Sequence, residues 1–198
     1  IDVNENNQYL KSIDGVLFTI ESNIILTKYP ACKKEETYEI PNDVYSIDKY
    51  AFESSVFLKK IIIPNSVNIL DEFSFFKCNV LEIVDTGDGV TTIKSYAFGK
   101  CSSLMSLTLG CNINSINNDP FLDCFNVTFV TLRNEMCIEY YKNLELPQTV
   151  RSITIDGCVT SIYPDAFNYL KGLETLNIGD SVIKIFSSAF TDCTDLIN

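Results

Sequence analysis

Ile93-Lys94-Ser95-Tyr96-Ala97-Phe98 decides how this sequence reads, because the chain repeats it. Ile47-Asp-Lys-Tyr-Ala51-Phe52 lies upstream and Ile162-Tyr-Pro-Asp-Ala166-Phe167 downstream. The three isoleucines are 46 and 69 residues apart, two and three times 23. Stepping by 23 from Ile47 lands on Leu70, Ile93, Ile116, Glu139, Ile162 and Ile185, so six of seven positions are aliphatic. A fixed internal period of this length marks a repeat architecture.

The other columns keep the same phase. Five residues on stand Phe52, Phe75, Phe98, Phe121, Leu144, Phe167 and Phe190, mostly preceded by a small residue. Eight on stand Ser55, Cys78, Cys101, Cys124, Pro147, Leu170 and Cys193. Leu58, Leu81, Leu104, Val127, Val150, Leu173 and Leu196 form the next column, and the first six open a Leu-x-x-Ile-x-Ile segment. Its alternating end predicts a short strand with Ile61 and Ile63, and their equivalents, facing inward. Offsets 0, 4, 8 and 11 fall on one face of a helical turn, which predicts a turn of helix after each first position. One such unit buries too few side chains to offset the entropy of ordering its backbone, so units must stack. The expected fold is therefore an α/β repeat: a horseshoe solenoid of 23-residue units, with short parallel strands on the concave side and helical turns on the convex side. Residues 44–198 form the array, as seven units with the fifth degenerate and the last truncated. Residues 1–43 form an N-terminal segment in which Val16–Ile20, a turn at Glu21-Ser-Asn23 and Ile24–Lys28 predict a β-hairpin cap. The chain opens at Ile1 and stops inside a coil, so a longer gene product is expected.

These columns resemble the BspA-like (Treponema-type) leucine-rich repeat family. The resemblance is carried by Leu58-Lys-Lys-Ile61-Ile-Ile63-Pro64-Asn-Ser66-Val67-Asn-Ile-Leu70 followed by the Ala-Phe-x-x-Cys segment. Leu104 to Leu109 and Leu173 to Ile178 carry it too, as does the leading stretch Ser12-Ile-Asp-Gly-Val-Leu-Phe18. Glu139, Asn143 and Pro147 depart from the pattern, and Asp85-Thr86-Gly87-Asp88-Gly89 interrupts the second strand. The resemblance implies a leucine-rich repeat solenoid on a cell-surface or secreted protein, used for adhesion and protein binding, without catalysis or cofactor.

Composition narrows the chemistry. There are 26 acidic against 15 basic residues, a formal net charge of −11. That balance disfavours nucleic acid and anionic membrane as partners. No histidine is present. Ser-His-Asp and Cys-His catalysis and His-containing zinc sites are therefore excluded. No Cys-x-x-Cys occurs, so no metal site is expected. Cys78, Cys101, Cys124 and Cys193 read as small buried side chains of one interior column. Cys32, Cys111, Cys137 and Cys158 lie off that column. Cys111 and Cys158 fall near each other in repeat phase but two units apart, so no bond between them is expected.

A ligand would meet the exposed strand positions. One exposed column is Thr37, Lys60, Ile83, Ser106, Phe129, Ser152 and Thr175; the next is Glu39, Ile62, Asp85, Thr108, Thr131, Thr154 and Asn177. The candidate site comprises Lys60, Ile62, Ile83, Asp85, Thr108, Phe129, Thr131, Arg133 and Thr154, with Ile62, Ile83 and Phe129 as apolar anchors. β-branched residues that simply stack well explain the threonines equally. Tyr140-Tyr141 in the irregular fifth unit are a second candidate patch, against a tolerated repeat defect. Asn126-Val127-Thr128 is a glycosylation sequon. Three functions are open: a non-catalytic module presenting the concave face to a protein or glycan partner, such as a host matrix or cell-surface protein; a spacer holding another domain off the surface; and an enzyme using Asp85 and Asp88 as an acid–base pair.

Overall fold

A computed structural model describes residues 1–141 and 149–197. Three strands open the chain: β1 (Leu10–Ile13), β2 (Val16–Ile20) and β3 (Ile24–Lys28). Two kinds of strand then alternate. One series comprises β4 (Thr37–Glu39), β6 (Lys60–Ile62), β8 (Ile83–Asp85), β10 (Ser106–Leu109), β12 (Phe129–Leu132), β13 (Ser152–Ile155) and β15 (Thr175–Ile178). The other comprises β5 (Val44–Ile47), β7 (Ile69–Leu70), β9 (Thr92–Ile93), β11 (Ser115–Ile116), β14 (Ser161–Ile162) and β16 (Lys184–Ile185). A helix, α1 (Glu135–Tyr141), stands between β12 and β13.

The first series pairs in parallel as one seven-stranded sheet in the order β4-β6-β8-β10-β12-β13-β15. Its register is the 23-residue step itself, with Lys60 opposite Ile83 and Ser106 opposite Phe129. The chain is thus a solenoid of about seven turns. Ile61, Val84, Leu107, Val130 and Ile153 point inward and are buried, as are Ile63, Leu109, Leu132 and Ile155. Thr86 takes the place of an aliphatic residue in that second column. It is fully buried, and its hydroxyl accepts the Gly110 N–H at 3.0 Å.

Four phenylalanines pile face to face. Ring centroids lie 4.7 Å apart for Phe52–Phe75, 4.9 Å for Phe75–Phe98 and 5.4 Å for Phe98–Phe121. Tyr29 continues the pile into the N-terminal segment at 4.9 Å from Phe52. Beside it runs a ladder of thiols. Cys78, Cys101, Cys124 and Cys193 each donate to the carbonyl of the phenylalanine one coil earlier, at 3.0–3.2 Å. Cysteine fits this column because it is small and apolar yet still supplies a weak donor. Burial pushes the Cys101 thiol well above its ordinary pKa, so it stays protonated and keeps donating.

After six of the seven first positions, all but Glu139, the following segment is not helical. It is a pair of consecutive turns whose third and seventh residues adopt positive φ: Tyr50 and Ser54, Phe73 and Lys77, Tyr96 and Lys100, Asp119 and Asp123, Asp165 and Tyr169, Ser188 and Asp192. Two four-residue turns in tandem place offsets 0, 4 and 8 on one side, as a helix would, so spacing alone does not separate them. The turns close with their own three-residue bonds, Ser74 N–H to Asp71 O at 3.2 Å and Phe76 N–H to Phe73 O at 3.0 Å, and the residues between donate to the next coil: Phe75 N–H to Ala97 O at 2.7 Å and Lys77 N–H to Gly99 O at 2.9 Å. The fold is accordingly sheet and turn with one short helix among the described residues, not an α/β repeat.

The second strand series joins the hairpin. β1, β2 and β3 are antiparallel; β3 then pairs in parallel with β5, and the sheet continues β7-β9-β11. There it stops. β14 and β16 form a separate pair, because α1 occupies the place of the missing strand. Asn134 caps α1, accepting the Met136 N–H at 2.7 Å, while Cys137 and Ile138 bury its inner face. Glu139 is exposed on it. Asn143, Leu144 and Pro147 lie outside the described residues, as do the side chains of Tyr140 and Tyr141.

Two side chains bracket this break. The Asn134 amide donates to the Cys111 and Ile113 carbonyls in the preceding coil. The Glu135 carboxylate accepts the Thr160 N–H at 2.9 Å and the Ser161 N–H at 3.0 Å in the following one. In unbroken coils those positions donate to a backbone carbonyl, as Thr91 and Thr92 do to Asn68 O. Glu135 therefore substitutes for the absent strand edge. Hydrogen bonds from Thr160, first its side chain and then its backbone, hold the Glu135 carboxyl below its ordinary value of 4.5. A depressed carboxylate stabilises the fold above its unfolded pKa and loses that contribution as pH falls through the folded one. Glu135→Gln is therefore expected to be less stable than the parent at neutral pH, with the difference shrinking as the pH falls below the ordinary carboxylate range, read from urea midpoints across pH.

Candidate interaction face

The long sheet presents an uncovered face. Its strand residues alternate inward and outward, so both predicted exposed columns lie where the register sets them. Thr37, Lys60, Ile83, Ser106, Phe129, Ser152 and Thr175 align across the strands, and Glu39, Ile62, Asp85, Thr108, Thr131, Thr154 and Asn177 align beside them. Phe129 is 55% exposed, Ile83 41% and Ile62 39%, high values for large apolar side chains on a rigid sheet. Thr108, Thr131 and Thr154 are half-buried by one another. In the first column, small Ser106 separates Ile83 from Phe129.

The charges divide unevenly. Arg133 reaches along the sheet edge to within 4.0 Å of both Asp85 and Asp88. Lys59 pairs with Glu36 at 3.0 Å and Arg151 with Glu174 at 3.6 Å. Lys60, Glu39, Glu82 and Asp156 have no ion pair among the described residues. The face thus turns its arginines to its own acids and leaves one lysine and three carboxylates without an ion pair among the described residues. The Asp85–Asp88 loop is an internal network rather than an acid–base pair. Asp85 accepts the Gly87 N–H at 2.9 Å, and Asp88 accepts the Cys111 N–H at 3.0 Å. Gly89 and Gly110 are required here: a Cβ on either would fall within about 2.2 Å of the Asn65 or Gly87 carbonyl oxygen of the adjacent coil.

A cleft of about 340 Å³ opens at the N-terminal ends of β8, β10 and β12, lined by Glu82, Ser103, Met105, Asn126 and Thr128. The sequence gives no sign of it, because its walls come from the column before the strands, where Lys59, Glu82, Met105, Thr128 and Arg151 share no chemistry. Asn126 of the sequon is exposed, with its amide donating to Ser102 O at 2.6 Å.

Cys111 and Cys158 form a disulfide, contrary to the expectation from phase, with Cα atoms 5.6 Å apart. Two regular coils would separate them by roughly 9.6 Å. The intervening coil departs into α1 just after Asn134, which lets Gly157, at φ +67°, settle against Cys111 and Arg133. Six other cysteines are free thiols, of which Cys32 is exposed. Burial raises the Cys137 pKa to about 12. No group of three or more Cys, Asp or Glu is placed to hold a metal among the described residues. None of their helices is long and apolar enough to cross a membrane.

The family model for the BspA type leucine rich repeat region matches residues 22–142 and 145–198, in six copies. The solved structures that resemble the chain include three leucine-rich repeat proteins. A leucine rich cell surface protein from Faecalibacterium prausnitzii A2-165 is 23% identical, with TM-score 0.62 over 87% of this chain and 40% of that one. The pneumococcal vaccine antigen PcpA is 21% identical, with TM-score 0.71 over 93% and 49%. A T. pallidum leucine rich repeat protein is 17% identical, with TM-score 0.53 over 92% and 88%. At these identities the likeness establishes the fold, and the chain spans less than half the length of the first two. No curated protein sequence matches it.

Proposed function

Since the chain belongs to the BspA-type leucine-rich repeat family, we propose that it is a non-catalytic protein-binding module of a cell-surface or secreted protein, and that the outer face of its long sheet receives the partner. The observation that carries this is the exposed anchor set Ile62, Ile83 and Phe129 on a seven-stranded sheet. A preformed sheet loses little conformational entropy on binding, and exposed apolar side chains in fixed positions are what a partner desolvates. Thr108, Thr131 and Thr154 supply hydroxyls beside the anchors, and Lys60, Asp85 and Arg133 form a polar rim. The Faecalibacterium relative is a cell surface protein, which supports the same location here. The β1–β3 segment serves as the N-terminal cap of the array: Val16, Phe18 and Leu26 are fully buried.

The test is the double substitution Ile83→Asp with Phe129→Asp. Both side chains face outward, so the melting temperature should hardly change. Binding to immobilised extracellular-matrix proteins should weaken at least about a hundredfold, the usual consequence of losing two anchors. Equal binding by parent and variant would place the partner elsewhere on the molecule. Failure of the parent to bind at all would favour a spacer.

A further inference from the structure

We propose that the outer face of the long sheet carries a receptor for one arginine or lysine side chain of a protein partner, formed by Ile83, Ser106 and Phe129 with Glu82 and Met105 at its end. This rests on the reading of that face as the docking surface and says what the surface selects.

Ile83, Ser106 and Phe129 are consecutive rungs of one column. The outer two are large and exposed, and the middle one is small, so the column has a notch one coil wide. With strands about 4.8 Å apart, its walls stand roughly 9.6 Å apart, enough to seat one extended side chain between them. The notch runs toward the N-terminal strand ends, where the 340 Å³ cleft begins. Glu82 immediately precedes Ile83, Met105 precedes Ser106 and Thr128 precedes Phe129, so three of the residues lining the cleft adjoin the three notch residues along the chain.

The chemistry changes along that path. Its outer part is apolar, between an isoleucine and a phenylalanine. Its inner part offers a thioether wall, hydroxyls and one carboxylate. Glu82 is half-buried and lies close enough to Lys59 of the preceding coil to act on its charge, yet it makes neither ion pair nor side-chain hydrogen bond among the described residues, whereas Glu36 and Glu174, its counterparts in the same column, are paired with Lys59 and Arg151. An apolar stem ending in a cation matches that sequence of surfaces. A guanidinium would also gain from the exposed face of Phe129. The formal charge of −11 draws a basic partner toward the molecule as a whole.

The probe is the peptide acetyl-Leu-Arg-Leu-amide, titrated into the ¹⁵N-labelled chain, beside the same peptide with neutral citrulline in place of arginine. The arginine peptide should shift the amides of Glu82, Ile83, Met105, Ser106, Thr128 and Phe129. Citrulline, and separately Glu82→Gln, should each weaken binding about tenfold. Ser106→Phe fills the notch and should abolish the shifts while leaving the remaining amide spectrum in place. Equal shifts from the citrulline peptide, indifference to Glu82→Gln, or shifts centred elsewhere would each overturn the proposal. A Glu82→Gln chain that still binds a matrix protein lost by Ile83→Asp/Phe129→Asp would sink this receptor while leaving the wider face intact. Binding indifferent to both variants would remove the face itself.

Discussion

Replacing Phe98 by alanine should cost about 3–5 kcal/mol of stability, the range for emptying a closed core site of an aromatic ring. Phe98 is fully buried and sandwiched between Phe75 and Phe121. Both stacking contacts are lost together, and neither neighbour can follow, because each is held by its own coil. The Phe98 carbonyl still accepts the Cys124 thiol, so the loss belongs to the ring and not to the backbone ladder. Urea unfolding should show a lower midpoint with an unchanged slope. Phe125→Ala makes the control. That ring is 63% exposed, and its removal should stay within about 0.5 kcal/mol.

The second large effect should come from the disulfide. Cys111 and Cys158 are 47 residues apart, and a closed loop of that size restricts the unfolded chain by about 4 kcal/mol on the chain-entropy model. Cys111→Ser should lose most of this. A dithiol reductant should bring the parent down to the level of the variant and leave the variant where it was. Cys32→Ser, at an exposed free thiol, should be silent. A parent whose melting temperature ignores the reductant would show that the bond contributes nothing. The staple sits where it matters, since the second sheet is interrupted between β11 and β14, where Asn134, Glu135 and the buried side of α1 bridge the gap among the described residues.

The stacking was legible because equal spacing forces like residues over like. Ile83 over Ser106 over Phe129, and Thr108 over Thr131 over Thr154, follow from a step of 23 with no further information. The turns were not legible as turns, because a period near four serves a helix and a tandem of four-residue turns alike. Positive φ at Phe73 and Lys77, which decides between them, leaves no mark in residue type. The helix hid inside a degenerate unit, although Asn134-Glu135 is a capping residue followed by an acid in the first turn, a pattern that starts helices. The disulfide escapes phase arithmetic because that arithmetic assumes equal coil thickness, which fails where a coil departs. Gly157, beside Cys158, was the available hint of close approach. At the candidate face the anchors could be read from the strand columns. The pairing of Arg133 with Asp85 and Asp88 could not, since it reaches across two coils, and neither could the Glu82 cleft.

Ring-to-ring nuclear Overhauser effects in a chain carrying protonated phenylalanine on a deuterated background test the stacking directly. An unbroken series linking Phe52 to Phe75, Phe75 to Phe98 and Phe98 to Phe121 is the predicted result, since those centroids lie within 5.4 Å. Rings that show no mutual contacts, or contacts between Phe52 and Phe121 without the two between, would contradict a solenoid of 23-residue coils and the docking face built on it.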